Sequence, residues 1–196
     1  SFLVRSFGED LGDFMSFMPD FLIPASPSPL LYAAYFYGAI VLVGGIVGIW
    51  MGGMLADKFG AKRKSAYALV PAAAFALTVP FLAVGVLTPS LGAVFLLLIV
   101  PTALGLVWLG PVISAFQHLV PPHMRSTASA VFLFINNLIG IGVGQAAIGL
   151  ISDQLAASYG DESLRYAILT GCVFYVLAAV LMAITAPRLK HDWEGA

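Results

Sequence analysis

Apolar residues in this chain come in long, unbroken runs. Five stretches, residues 30–56, 66–87, 91–117, 127–151 and 166–186, contain no Asp, Glu, Lys or Arg. Each reaches the about 20 residues needed to cross a hydrocarbon core about 30 Å thick. In lipid a spanning segment must satisfy its own backbone hydrogen bonds, which selects helix. The pattern predicts an all-α membrane protein, a polytopic helical bundle with five full transmembrane helices. Residues 14–25 are also apolar apart from Asp20, but they are short and are broken by Pro19 and Pro24. They read as part of a further span, a re-entrant or interfacial segment, or an external cap. Residues 1–29 are thus a truncated or broken first helix with an external segment, 30–186 the bundle, and 187–196 a tail.

Charge orients the bundle. Lys58, Lys62, Arg63 and Lys64 separate the first two runs, Arg125 separates the third and fourth, and Arg188 and Lys190 follow the fifth. These connections share one side of the membrane, and of the basic residues only Arg5 and Arg165 lie on the other. The positive-inside rule predicts a cell-membrane protein with residues 58–64 and the C-terminus in the cytoplasm.

Composition closes off other classes. Of 196 residues, 60% are hydrophobic and 10% charged, and the mean hydropathy is +0.97. Soluble domains carry about 25% charged residues, and disordered chains are poor in large apolar groups. The net charge of −1 argues against a nucleic-acid partner. A single cysteine, Cys172, allows no intrachain disulfide and no multi-cysteine metal site. No metal or cofactor is expected. The spans hold no Ser/Lys, His/Glu or paired-Asp constellation, so the chain is not read as an enzyme. It opens Ser-Phe-Leu-Val without Met, which predicts a fragment of a longer protein.

Helices in lipid associate through close backbone contact at small residues and through interhelical hydrogen bonds. Gly44, Gly48 and Gly52 repeat every fourth residue, flanked by Gly45 and Gly53, and predict a packing face on the first span. Asn136, Gly140 and Gly144 repeat the spacing in the fourth. Pro71, Pro80, Pro101 and Pro111 each remove an intrahelical donor, and Gly110-Pro111 predicts a bend in the third span.

At the cytoplasmic end of the first span the chain reads Gly53-Met54-Leu55-Ala56-Asp57-Lys58-Phe59-Gly60-Ala61-Lys62-Arg63-Lys64. Gly53 lets the helix end approach a neighbour, and Asp57 is placed to accept charge-assisted hydrogen bonds. Gly60 is expected to supply a positive-φ turn. Lys62, Arg63 and Lys64 stay at the anionic leaflet. With this spacing in this position, the chain resembles the major facilitator superfamily of secondary transporters. The segment Val120-Pro121-Pro122-His123-Met124-Arg125 and the run Phe134-Ile135-Asn136-Asn137-Leu138-Ile139-Gly140 are similar to the spinster-type lipid transporters within it.

The resemblance implies the C-terminal six-helix half of such a transporter, with residues 14–25 in the place of its first helix. It implies a gating role for Gly53, Asp57, Lys58, Gly60, Lys62 and Arg63. It also implies transport of a small or lipid-like solute by alternating access, with the lipid bilayer, the solute and a missing N-terminal half as partners. The alternative is a non-transporting or homo-oligomeric half-size membrane protein. Polar or large groups at membrane depth usually point inward, which makes Asn136, Asn137, Gln145 and Trp108 candidates for the substrate pathway, or for ties between helices. Tyr32, Tyr35 and Tyr37 read as an interfacial aromatic belt. A proton carrier, if one exists, is Asp20, Asp13 or a residue of the missing half.

Overall fold

The computed structural model describes residues 2–7, 10–14 and 28–189, all helices and short connections. Residues 15–27, with Asp20 and nearly all of the short apolar stretch at 14–25, lie outside the described residues, as does the tail beyond 189. Two short helices, α1 (Phe2–Phe7) and α2 (Asp10–Phe14), precede α3 (Pro29–Gly60). Then come α4 (Ala66–Leu87), α5 (Leu91–Leu106), α6 (Leu109–His118), α7 (Arg125–Asn136), α8 (Gly144–Tyr159) and α9 (Ser163–Thr185). Five helical units are long and apolar enough to cross a membrane: α3, α4, α5 with α6, α7 with α8, and α9.

Local chemistry sets several ends. Ser28 caps α3, its hydroxyl accepting from Leu31 N–H at 3.3 Å, with Pro29 in the first turn. That position suits proline, because its missing N–H has no helical partner there. Gly160, at φ +52°, is the positive-φ residue among those described, and it turns the chain from α8 into α9.

The strongest packing joins α4 to α9, α3 to α5, α4 to α5 and α8 to α9. At one end of the bundle Leu3, Phe7 and Leu11 pack with Ala33, Phe36 and Ile40 of α3 and with Leu91 and Val94 of α5. The rings of Phe36 and Phe95 meet edge to face at 5.2 Å. At the other end Ala68, Ala115, Ala186 and Leu189 form a second cluster. This second end carries the connection 61–65 and the turn before α7, so the basic connections share one end of the fold.

The glycine face expected on the first span is a real seam. A Cβ built on Gly48 would overlap the carbonyl oxygen of Ala103, and one on Gly52 the carbonyl oxygen of Val107. At Gly44 it would lie 3.1 Å from the oxygen of Ile99 and 3.0 Å from Thr102 Cβ. Residues 44, 48 and 52 thus meet 99, 103 and 107 in step, with the two helices running parallel. Two of these carbonyls lack an α-helical donor. Pro111 has no N–H to give Val107, and Val107 N–H bonds to Leu104 O at 3.3 Å instead of to Ala103. Glycine Cα–H groups lie against both oxygens, a contact worth about 0.5–1 kcal/mol each.

Three sequence expectations are corrected. The interruption of the third span falls at Val107-Trp108, between α5 and α6, where the backbone stays right-handed helical, rather than at Gly110-Pro111. The physical reason is that a proline disrupts the bonding of the turn before it. Gly60 does not adopt positive φ; it is the last residue of α3, and Ala61 after it is still right-handed helical. Its lack of a side chain serves contact, since a Cβ there would run into the ring of Tyr67. Finally, the Asn136, Gly140, Gly144 spacing makes no packing face among the described residues. Nothing lies within 4 Å of a Cβ on Gly140, and Gly144 meets only Ile139 O of its own span. A π-helical segment, Asn137–Val143, interrupts the spacing by changing the rise and rotation between these residues.

Gly48→Ala is expected to force α3 and α5 apart and cost about 1–3 kcal/mol, read as a lower unfolding midpoint in detergent or nanodiscs. Gly38→Ala, where space is open, should leave the midpoint unchanged. For Gly60 a double-mutant cycle decides: Gly60→Ala lowers the midpoint in the native background and has little effect once Tyr67→Ala has removed the ring.

Candidate functional site

Two places on the bundle carry functional potential. The first is the basic end of α3. The connection to α4 is tight, with Arg63 N–H bonded to Phe59 O at 3.0 Å and Ala66 N–H to Arg63 O at 2.9 Å. Asp57, Lys58, Lys62 and Arg63 are exposed there, while Gly60 is buried. The Lys58 ammonium lies 5.9 Å from the centroid of the Phe59 ring. Asp57 and Lys58 border a depression of about 690 Å³ floored by Ile49, Trp50, Gly53 and Met54. Gly53 faces open space on its own Cβ side, but its backbone receives α6: a Cβ on Gly110 would lie 3.1 Å from Gly53 N. The expected close approach at Gly53 is thus to the third span. Among the described residues no hydrogen bond or ion pair engages the Asp57 carboxylate, so it stands open at the rim of an apolar depression.

The second place is a half-open cavity of about 780 Å³ in the opposite half of the bundle, bordered by α3, α4, α5 and α9. That volume suits a small-molecule ligand. Its walls are apolar, including Val41, Leu82, Val86, Leu98 and Ile168, with Leu3 of α1 at one side. Polar groups come from Tyr37, Thr102 and Tyr175. The Thr102 hydroxyl donates to Leu98 O at 2.7 Å, returning a hydrogen bond to its own helix. Tyr175 packs edge to face on Phe75 at 5.9 Å. Its hydroxyl lies 3.5 Å from the Cβ that Gly105 lacks, so the glycine leaves room for that oxygen at the cavity wall. Such a space accepts an apolar body and offers phenolic hydroxyls to one polar group. Sequence reading placed Tyr37 in an interfacial belt and did not single out Tyr175. An uncharged aromatic in an apolar run carries no signal of its own, and only packing shows that it lines a cavity.

The four pathway candidates do not line this cavity. Trp108 sits at the break between α5 and α6, its ring 6.2 Å from that of Phe132 on α7. Asn136 is half-buried at the end of α7. Asn137 is exposed and donates its side-chain amide to Leu133 O at 2.8 Å, a tie within its own span. Gln145 is exposed on α8. The structure brings Trp108 to the fourth span but leaves the three amides along that span. Asp13 is exposed on α2.

No family model matches the chain. The chain is 31% identical over 180 residues to an MFS-type efflux pump of Mycolicibacterium smegmatis, a match covering 90% of this chain and 41% of the pump. It is 27% identical over 172 residues to protein spinster homolog 3 of Danio rerio, covering 83% of this chain and 34% of that protein. The chain therefore spans well under half the length of these relatives. Among solved structures, a bacterial homologue of the human lysosomal transporter Spinster, inward-facing and unoccupied, superposes over 100% of this chain and 44% of its own. The TM-score is 0.77 at 22% identity. Its inward-facing, occupied form gives 0.73. Over nine-tenths of its length the chain is similar to a pump of the major facilitator type, spinster proteins are among its relatives, and it carries half of the fold of a bacterial spinster homologue.

Proposed function

We propose that this chain is the C-terminal half of a secondary transporter that moves a small or lipid-like solute by alternating access, with an N-terminal six-helix half as its partner. One observation carries the reading. No residue in the most apolar part of the fourth span is fully buried within the chain, which is less than half as long as its relatives. α3 adds an uncovered face at Leu42, Ile46 and Trp50. Lipid covers part of such surface; the partner half covers the rest, since substrate sites of such folds lie at the interface of two repeats. Residues 58–64 and the C-terminus face the cytoplasm, by the excess of basic residues at that end. Gly53, Asp57, Lys58, Gly60, Lys62 and Arg63 act as the gate. Asp57 would receive a donor from the partner half, and that contact would hold one of the two states. The cavity behind Tyr37 and Tyr175 takes the apolar part of the solute, with Trp108, Asn136, Asn137 and Gln145 along the pathway between the halves.

The direct test is reconstitution of the full-length protein in proteoliposomes and a solute screen with and without a pH gradient. Absence of any flux across amphiphilic and small apolar solutes, or uptake by a homodimer of this chain alone, rejects the reading. With a transported solute in hand, Asp57→Ala is expected to lower flux at least tenfold at equal membrane insertion. Gly105→Leu, which fills the cavity beside Tyr175, is expected to lower flux to a similar degree. Unaltered flux in the first variant removes the gating role, and in the second the solute role of the cavity.

A further inference from the structure

At the end of the bundle away from the basic connections, α1 and α2 form an amphipathic pair. Leu3, Phe7 and Leu11 fall every fourth residue and are all buried, while Ser6, Asp10 and Asp13 are exposed. The pair bridges several helices. α2 touches α3 and α5, and α1 touches α3 and the 3-10 turn Gly160–Glu162 between α8 and α9. The same cluster holds Phe36, almost without exposure and set edge to face on Phe95. The cavity reaches this end as well. Its wall on α3 runs from Leu30 to Val41, about 16 Å of helix rise. Leu3 joins Leu30, Val86 and Ile168 where α3 and α9 begin and α4 stops, and all four are apolar. The polar wall groups Tyr37, Thr102 and Tyr175 stand one or two turns further along their helices. Cluster and cavity have Leu3, Ala33 and Leu98 in common. The exposed wall residues Tyr37 and Val41 lie inside the charge-free run of α3, so at this end the way from the cavity to water passes Leu3.

We infer that α1 and α2 are a lid on this end of the cavity, with Leu3 as its stopper and Phe7 and Leu11 as its anchors. The lid keeps water out of a compartment end whose walls offer nothing to hydrogen-bond it, and such a space stays dry when closed. Its exposed Ser6, Asp10 and Asp13 keep the other face of the pair soluble, so the lid belongs to the aqueous boundary and not to the lipid-facing wall. Two anchoring side chains hold far less than the backbone seam between α3 and α5. The lid therefore opens locally while the bundle stays packed, as weakly held elements at binding sites do. The lid covers the cavity assigned above to the solute, but its closure is a property of the cavity alone and is measured without a solute.

The experiment is thiol labelling of the full-length protein in nanodiscs, with Cys172→Ala and any other native cysteine replaced. Thr102→Cys puts a reporter on the cavity wall. Thr78→Cys, on α4, is the control, since Thr78 is fully buried and does not line the cavity. The probe is a cationic methanethiosulfonate, which does not enter lipid. Phe7→Ser, or Phe7→Ala should the first variant fold poorly, is expected to raise the Thr102→Cys labelling rate about tenfold or more, because the lid opens more often once an anchor is lost. Phe7→Leu keeps an apolar anchor and holds the native rate to within about a factor of two. Asp13→Ala, on the exposed face of the lid, leaves the rate unchanged. Thr78→Cys stays unreactive in every variant. A Thr102→Cys rate that loss of the Phe7 ring does not move overturns the inference. So does a Thr78→Cys thiol that becomes reactive along with it, because α1 and α2 would then be holding the bundle together and not closing the cavity. Neither solute nor flux enters the measurement, so failure here is distinct from failure of the transport reading.

Discussion

Between α3 and α5 the backbones meet with no side chain between them, and the rest of the bundle is arranged around that contact. Gly48 lies on the carbonyl of Ala103 and Gly52 on that of Val107. A carbonyl without a donor is costly where water is absent, and at this seam the third span presents two, because Pro111 has no N–H for Val107 and the Val107 N–H bonds to Leu104 O. The same proline that interrupts the third span creates the acceptors that the first span's glycines cover. Glycine and proline, both poor helix formers in water, are complementary here. Once α3 and α5 are locked, α4 is held against α5, α9 against α4, and α8 against α9.

That chain of contacts leaves α7 last and least attached. A helix bundle in lipid has no hydrophobic penalty for an exposed apolar face, so the fourth span can remain uncovered within this chain without instability. In a protein surrounded by water the exposed Phe134, Ile135, Leu138 and Ile139 would mark an aggregation hazard. In this fold they mark surface that lipid or another protein segment covers. The basic end shares this open character. Asp57 and its neighbours stand at a rim rather than in a closed network, which suits a contact that forms in one state and breaks in another.

The number of membrane-length helical spans was legible from the charge-free runs, and the relationship to the major facilitator superfamily was legible from Gly53 to Lys64. The seam at Gly44, Gly48 and Gly52 was also legible, because three small residues at four-residue spacing occupy one helix face. Gly60 shows where such reading stops. Its place in a motif suggested a turn, yet it is helical and is kept small by the Tyr67 ring. Gly140 shows the opposite case, a glycine at the right spacing with nothing opposite it among the described residues. The cavity behind Tyr37 and Tyr175 left no trace in sequence, since its walls come from four helices and its residues are ordinary members of apolar runs.

Length and charge are local quantities, and the bilayer tests them segment by segment. That is why the chain by itself determined five spans, an all-helical fold and a basic end. Which glycine meets a carbonyl, where the third span breaks, that the fourth span carries a π segment, and which tyrosines border a cavity depend on what stands opposite. Those features were decided only when the helices packed, because a contact in lipid requires two matching faces and a sequence states each face alone.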